Sequence, residues 1–296
     1  MLSLDKDLQR PKILIEEFGN ITSRVLNYLP NVLSGYEDKG EYRIYSSDIA
    51  GVKKYIRPIN RHLFYNDVDS FEEAFKELHL IFSRLRNKER NFSQSDNVII
   101  DSTLYTIQQS IGAGLDLLVN PNSARKHNGN RFEELIKAIF TEIGVANKKI
   151  VLQIPYDTNE GTKVYKCEND LIISPGKIVK STSNSLDTNE IVISAKTTSK
   201  DRMGKIFIDK ILLERFVGHP QKVIGVFLND VQRKEDNNIS FTLVTGLFMV
   251  YSKFLTKLEG IYYLDLPPAA AKPPLADHMK SFSQLLTNDL EHLFAS

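Results

Sequence analysis

Apolar residues recur at helical spacing through much of the first 120 residues. The stretches Ile13–Leu33 and Ser70–Arg86 carry apolar residues three or four positions apart, a spacing that places these side chains on one face of a helix. Asn97–Val119, rich in Ile and Leu, is predicted as a further helix, whereas Gly35–Tyr65 is less regular and compatible with a short strand. The pattern therefore predicts a mainly helical N-terminal region over residues 1–120.

A turn-forming tripeptide, Pro121-Asn122-Ser123, marks the point after which helices and strands alternate. The predicted helices are Asn130–Ile143, Asp201–Val217, Gly246–Leu258 and Ala276–Phe294. The predicted strands are Ile150–Ile154, Val164–Ile173, Ile191–Ala195, Lys222–Leu228 and Ile239–Val244, with Ile261–Leu264 as an edge strand. This alternation predicts an α/β fold for residues 121–296, ending in a C-terminal helix.

Composition and charge narrow the class of protein. The 296 residues are 42% apolar and 25% charged, as in ordinary soluble globular proteins, and no run approaches the length of a membrane span. The net charge of +1 means that any polyanionic partner has to be met by a local basic patch. A single cysteine, Cys167, excludes an intrachain disulfide and a cysteine-based zinc site. Together with the absence of an apparent signal peptide, this favours a reducing, intracellular setting.

Two charged residues interrupt the apolar pattern of predicted strands and are candidate catalytic residues. Asp170 lies inside an apolar strand, and Lys196 follows the strand Ile191–Ala195 where a core pattern would continue. A buried carboxylate needs a cation, and Mg²⁺ prefers carboxylate oxygens, while a nearby lysine can orient or deprotonate an attacking water. An acid on one strand and a lysine leaving the next are what a metal-dependent phosphodiesterase needs. The alternatives are an exposed strand start for Asp170 and a surface position for Lys196.

Two further acids are candidate metal ligands. Glu133 lies on the first helix after the tripeptide, and Asp209 lies on the helix that follows Lys196. For each acid the alternative is a solvated charge on a helix surface, and Glu133 has the right spacing to pair with Lys137.

The segment Lys196–Arg202, reading KTTSKDR, resembles the signature of type II restriction endonucleases of the PD-(D/E)xK superfamily. The similarity is to the EcoRII/PspGI/NgoMIV-like branch, which cuts CC/GG-containing sites. In that branch a small residue, here Ser194, replaces the usual second acid, and an acid thirteen positions after the lysine takes its role. That position holds Asp209, where relatives carry Glu. Cys167–Ile173 resembles the family's Pro-Asp strand, with Asn169 in place of proline.

The resemblance, which covers roughly residues 128–230, implies a fold and a set of site residues. The fold would be a restriction-endonuclease-like mixed β-sheet flanked by helices. Arg131-Phe132-Glu133 resembles the family's helix that supplies an additional acid, here Glu133. The resemblance as a whole implies that the protein binds Mg²⁺. The residues implied are Asp170, Asp209 and Glu133 for the metal, Lys196 for water activation, and Lys200, Asp201 and Arg202 for base recognition. The recognition role agrees with chemistry, because arginine binds guanine bidentately and an acid accepts from the cytosine amino group. The alternative is a helix N-terminus at which Asp201 favours the dipole.

The implied function is Mg²⁺-dependent cleavage of double-stranded DNA at a palindrome with CC and GG half-sites, of the CCGG, CCWGG or CCNGG type. The implied partners are a second copy of the chain, in a homodimer or a dimer of dimers, and a cognate DNA methyltransferase in the same prokaryotic, cytoplasmic system without a stable complex. A structure-specific repair or junction nuclease and a non-catalytic DNA-binding protein remain alternatives. Basic clusters around Lys53–Arg57 and Arg125–His127 are either solvated faces or phosphate contacts.

Overall fold

A computed structural model describes residues 2–49, 51–200 and 202–295. The N-terminal region consists of helices packed beside a small antiparallel sheet in which β2 pairs with β1, β3 and β4. Its helices are α1 (Leu4–Gln9), α2 (Ile15–Val32), α3 (Val68–Arg86) and α4 (Gln94–Leu118). Its strands are β1 (Gly35–Lys39), β2 (Tyr42–Ile49), β3 (Val52–Tyr55) and β4 (Ile59–Asn60). Within the described ranges, no helix combines the length and apolar character needed to cross a bilayer.

The rest of the chain builds a larger mixed sheet. Its helices are α5 (Pro121–Glu142), α6 (Arg202–Val217), α7 (Thr245–Phe254), α8 (Phe282–Gln284) and α9 (Leu290–Ala295), with a π-helical turn at Leu285–Asp289. Its strands are β5 (Ala146–Thr158), β6 (Gly161–Ser174), β7 (Ile191–Thr198), β8 (Lys222–Asn229), β9 (Val231–Arg233), β10 (Ile239–Phe241), β11 (Gly260–Tyr263) and β12 (Met279–Ser281). The central sheet has the order β12-β11-β8-β7-β6-β5, while β9 and β10 form a separate hairpin. The predicted mixed α/β fold is confirmed.

The two sides of the central sheet differ in strand direction. The strands β7, β8, β11 and β12 run parallel, whereas β6 is antiparallel to both of its neighbours, β5 and β7. Parallel strands need crossovers, and α6 supplies the connection from β7 to β8. The adjacent ends of β6 and β7 therefore lie beside the start of α6.

Two secondary-structure predictions near the C-terminus are wrong. Ile261–Leu264 was expected at a sheet edge, but β11 is an interior strand between β8 and β12. The reason is that Met279–Ser281, inside the predicted helix Ala276–Phe294, extends and pairs in parallel with β11. The helical segment consequently begins only at Phe282. The apolar pattern of a three-residue strand is too short to be distinguished from the pattern of the helix that follows it.

A continuous apolar core joins the N-terminal region to the sheet. α4 is buried on nearly all sides, and its Leu104 and Ile107 share one core with Phe132 of α5 and Ile193 of β7. A helix buried all round is a core helix rather than a surface one. Pro121, predicted at a chain break, is the first residue of α5, where its missing N–H costs no hydrogen bond.

A buried polar junction fixes the small sheet to the central one. Asp265, two residues after the end of β11, accepts hydrogen bonds from the hydroxyl of Tyr42 (3.0 Å) and the side-chain amide of Asn60 (2.9 Å). Burial raises the pKa of Asp265 to about 7, against the opposing effect of these two donors. The small sheet is thereby held beside the central sheet by buried hydrogen bonds as well as apolar contacts.

Candidate active site

Asp170 and Lys196 lie on neighbouring antiparallel strands. The β6–β7 register sets Leu171 opposite Ile193, so Asp170 faces the part of β7 that continues to Lys196. Oδ2 of Asp170 accepts a hydrogen bond from the backbone N–H of Ala195 (2.9 Å) and forms an ion pair with Nζ of Lys196. β7 extends to Thr198, so Lys196 lies within the strand instead of following its end. The structure brings the two predicted residues into direct contact.

A register shift in the β5–β6 pairing accompanies the position of Asp170. Asp170 and Leu171 of β6 together lie opposite Lys149 of β5, which is the two-against-one count of a β-bulge. Leu171 is buried in the core, whereas the Asp170 side chain stays partly exposed to a cleft. Asn169, at the position where the resemblance leads one to expect proline, is buried and donates to the carbonyl of Ile150 (3.4 Å).

Glu133 joins this pair from α5. Its Oε1 lies 3.9 Å from Nζ of Lys196, and its Oε2 lies 3.4 Å from Nζ of Lys149. Burial raises the pKa of Glu133, and the charge of Asp170 raises it further, against the lowering effect of the two lysines. In the part of the chain that the structure describes, its ion pairs run to these lysines and not to Lys137. Glu133, Asp170 and Lys196 thus form one cluster.

Asp209 lies apart from the cluster. Its carboxylate pairs with Lys205 one helical turn earlier on α6 (2.7 Å). The pKa of the Cys167 thiol is raised mainly by burial and also by the negative charge of Asp209. Across the described ranges, no ion pair or hydrogen bond joins Asp209 to Lys196, and Asp209 does not line the cleft. A role for Asp209 as a metal ligand stays a prediction and requires its release from Lys205.

The carboxylates of Glu133 and Asp170 fit a magnesium ion. The two carboxylates are so close that the charge of Asp170 raises the pKa of Glu133. A cation bound between them would offset this repulsion. Mg²⁺ is commonly held by one or two carboxylates, with water and substrate phosphate completing its shell. Within residues 2–49, 51–200 and 202–295, no three His, Cys, Asp or Glu side chains are grouped so as to form a metal cage. The donor set therefore suits an open site.

The predicted recognition segment follows β7. Lys200 and Arg202 are exposed and line the cleft, and Arg202 is the first residue of α6. Asp201 lies outside the described residues. The preceding residue, Ser199, is fully buried, and its backbone N–H donates to Oδ1 of Asp230 (2.9 Å). The start of the segment is consequently anchored in the protein interior.

The cleft has a volume of about 1070 Å³. Its lining includes the acid–lysine cluster, Glu168, Lys200 and Arg202, together with residues from the N-terminal region, the start of α5 and β9. Cationic side chains around it are Arg57, Arg125, Lys126, Lys196, Lys200, Arg202 and Arg233. Acids and bases for hydrolysis and cations for a polyanion therefore share one cavity.

Searches with family models and against curated proteins gave no match. Among solved structures, the chain is similar to the crystal structure of the Type IIP restriction endonuclease Kpn2I, with a TM-score of 0.72 and 20% identity, over 95% of this chain and 91% of that one. The chain has a restriction-endonuclease fold. A complex of the restriction endonuclease PspGI with substrate DNA shows a weaker likeness, with a TM-score of 0.45 and 13% identity, over 76% of this chain and 91% of that one.

The sequence pattern did not identify three residues near the site: Glu168, which lines the cleft, and Lys149 and Asp230, which contact other residues of the site. Glu168 precedes Asp170 by two positions, and strand alternation was a usable signal that both face one side. Lys149 and Asp230 carry no local signal, since their importance comes from partners on other elements, Glu133 and Ser199.

Proposed function

We propose that this protein is a type II restriction endonuclease that cleaves duplex DNA in a Mg²⁺-dependent reaction, at a palindrome containing CC and GG half-sites. The observation that carries the proposal is the meeting of Asp170, Lys196 and Glu133 in a cleft rich in cationic side chains. The fold shared with Kpn2I, itself a Type IIP restriction endonuclease, supports the same conclusion.

Each residue of the cluster has a distinct task in phosphodiester hydrolysis. Glu133 and Asp170 would hold Mg²⁺, with Asp209 as a further predicted ligand. When bound, Mg²⁺ stabilises charge on the phosphoryl oxygens and activates water. The N–H of Ala195 fixes the orientation of the Asp170 carboxylate. Lys196, beside both carboxylates, orients the attacking water and offsets the negative charge that develops at phosphorus.

Base recognition is proposed for the segment after β7. Arg202 reads guanine through its O6 and N7 acceptors, Lys200 adds a second cationic donor, and Asp201 accepts from the cytosine amino group. The site would be of the CCGG, CCWGG or CCNGG type. Because a palindrome presents two equivalent strands, the active form would be a homodimer or a dimer of dimers. Its setting would be a prokaryotic cytoplasm with a cognate DNA methyltransferase that forms no stable complex with it.

Digestion of a plasmid of known sequence tests the proposal. With Mg²⁺ we expect discrete fragments whose mapped ends share one palindrome with CC and GG half-sites, and chelation of Mg²⁺ should abolish the products. Cuts confined to branched or damaged DNA would identify a structure-specific nuclease instead. Duplex binding without any product under Mg²⁺, Mn²⁺ or Ca²⁺ would identify a non-catalytic DNA-binding protein.

A further inference from the structure

The cleft that holds the acid–lysine cluster is also lined by aromatic and cationic residues from other elements of the fold. We define the basic wall as Tyr55 at the end of β3, Arg125 and Lys126 near the start of α5, and Arg233 at the end of β9. These residues come from three separate parts of the chain and line the same cavity as Asp170 and Lys196.

The segment that follows Tyr55 is fixed to the core. The guanidinium of Arg57 forms a two-pronged contact with the carboxylate of Asp116 on α4, at 2.9 and 2.8 Å, and the backbone N–H of Arg57 donates to the same carboxylate (3.1 Å). The charge of Arg57 is thereby neutralised within the protein. Arg57 therefore has a structural role beside the basic wall. The cations available to a ligand are Arg125, Lys126 and Arg233.

Tyr55 and Arg233 form an aromatic–cationic unit. The guanidinium carbon of Arg233 lies 5.1 Å from the centre of the Tyr55 ring, and Nζ of Lys53 lies 5.1 Å from the same centre. Such cation–π contacts hold an arginine in place without cancelling its charge. Arg233 is exposed and donates to the side-chain oxygen of Asn237 (3.4 Å), which is neutral.

Arg125 and Lys126 project from the first turns of α5, the same helix that carries Glu133. Both are exposed, and in the described ranges no carboxylate lies within ion-pair distance of Arg125, Lys126 or Arg233. Eight residues of helix separate Arg125 from Glu133, a rise of about 12 Å. The positive end of the helix dipole adds to the field at this end of the cleft.

The chemistry of the wall indicates which part of DNA it binds. We infer that the basic wall binds the sugar–phosphate backbone of duplex DNA, with Tyr55 of the N-terminal region holding Arg233 in place; this inference rests on the proposed function. Three cations with no carboxylate partner among the described residues, brought together from α5 and β9 in a protein of net charge +1, form the local patch that a polyanion requires. Phosphate contacts fix position and are independent of base sequence.

The salt dependence of binding tests the inference. In a cleavage-deficient Lys196→Ala parent, the double variant Arg125→Ala/Arg233→Ala would be titrated against fluorescent duplexes with and without the cleavage site, over a range of KCl concentrations. Each lost phosphate contact lowers the slope of log K against log salt by about 0.9, so a loss of about 1.8 is expected. The loss should be equal on both duplexes.

A matched control removes the same charge elsewhere. Lys76 on α3 and Arg215 in the last turn of α6 are exposed and do not line the cleft, so Lys76→Ala/Arg215→Ala should leave the slope unchanged. An unchanged slope in the Arg125/Arg233 variant would overturn the inference, and a loss confined to the duplex with the site would overturn it in favour of base reading. If the Lys196→Ala parent binds neither duplex, the proposed function itself fails and takes the inference with it.

Discussion

At the scale of single residues, the position of one ammonium group dominates the site. Nζ of Lys196 on β7 pairs with Asp170 and approaches Glu133, while Nζ of Lys149 on β5 contacts Glu133. Both lysines therefore approach Glu133, but only Lys196 also pairs with Asp170. Their variants should separate the chemical step from the local balance of charge.

We expect Lys196→Ala to reduce the cleavage rate by about 10²- to 10⁴-fold, the range over which proton-transfer groups contribute, with specific DNA binding retained. Lys149→Ala should reduce the rate far less, because Lys149 contacts Glu133 and not Asp170. Single-turnover digestion and gel-shift titration measure the two effects. Cleavage at the normal rate by Lys196→Ala would show that the site assignment is wrong.

Glu133 and Glu134 provide a second comparison. Because the fold raises the pKa of Glu133, its ionised form is disfavoured, and Glu133→Gln should raise the melting temperature of the metal-free protein at pH 7 while lowering cleavage. Glu134 instead pairs with Arg131, which is 1% exposed, at 2.6 Å. Glu134→Gln should lower the melting temperature. Thermal unfolding and plasmid digestion together check both, and the opposite order of melting temperatures would contradict the assignment.

At the scale of elements, the position of the predicted recognition segment depends on hydrogen bonds to neighbouring strands. Asp230, directly after β8, is 1% exposed and accepts from the N–H of Ser199, the hydroxyl of Thr242 (3.1 Å) and the hydroxyl of Tyr263 (2.7 Å). One buried carboxylate thus connects the segment before α6, the end of the β9–β10 hairpin and β11. The segment that carries Lys200 is held by contacts far along the chain.

Tyr263→Phe should loosen this junction. Both this change and Tyr262→Phe, whose hydroxyl donates to Asp289 (2.9 Å), remove a hydrogen bond to a carboxylate, for which we expect a loss of about 1.5–3 kcal/mol in unfolding free energy. Only Tyr263→Phe should also lower site discrimination, which is the ratio of the cleavage rate at the cognate site to the rate at sites with one substituted base pair. Denaturant unfolding and digestion of matched duplexes measure these quantities. Equal site discrimination in the two variants would refute a positioning role for Asp230.

At the scale of the whole molecule, the small N-terminal sheet and the central sheet are joined through a buried acid. The pKa of Asp265 is about 7 in the fold, mainly because of burial, and about 4 in an unfolded chain. Between these values the folded protein binds a proton that the unfolded chain has lost. The free energy of unfolding therefore falls as the pH rises from about 4 to about 7, and this contribution is constant above that.

Asp265→Asn should remove this part of the pH dependence. The difference between a pKa of about 7 in the fold and about 4 in the unfolded chain changes the free energy of unfolding by at most about 4 kcal/mol. Urea unfolding at several pH values, for the variant and the parent, gives the difference curve. We expect the parent to lose stability relative to the variant between pH 4 and pH 7, whereas a difference independent of pH would show that Asp265 keeps an ordinary pKa. Asp101, whose pKa burial also raises to about 7, should contribute equally to both proteins.

Local pattern alone was enough for most elements and for one contact in the site. Apolar spacing predicted α2, α3, α4, α6 and the central strands, because each element must bury one face. It also predicted that Asp170 and Lys196 meet, since both are polar breaks in neighbouring buried strands. It failed for β12, where pairing with β11 decides the conformation of a short segment.

Tertiary structure alone decided which other charges reach the cleft. Glu133 joins Lys196, while Asp209 lies beside Lys205 and Cys167, although both acids occupy helix positions of similar local character. Arg125 and Arg233 share a wall despite their separation in the chain. Periodicity determines which face an element buries, but the register of a sheet and the packing of helices on it set the distances between elements. Those distances decide which side chains act together.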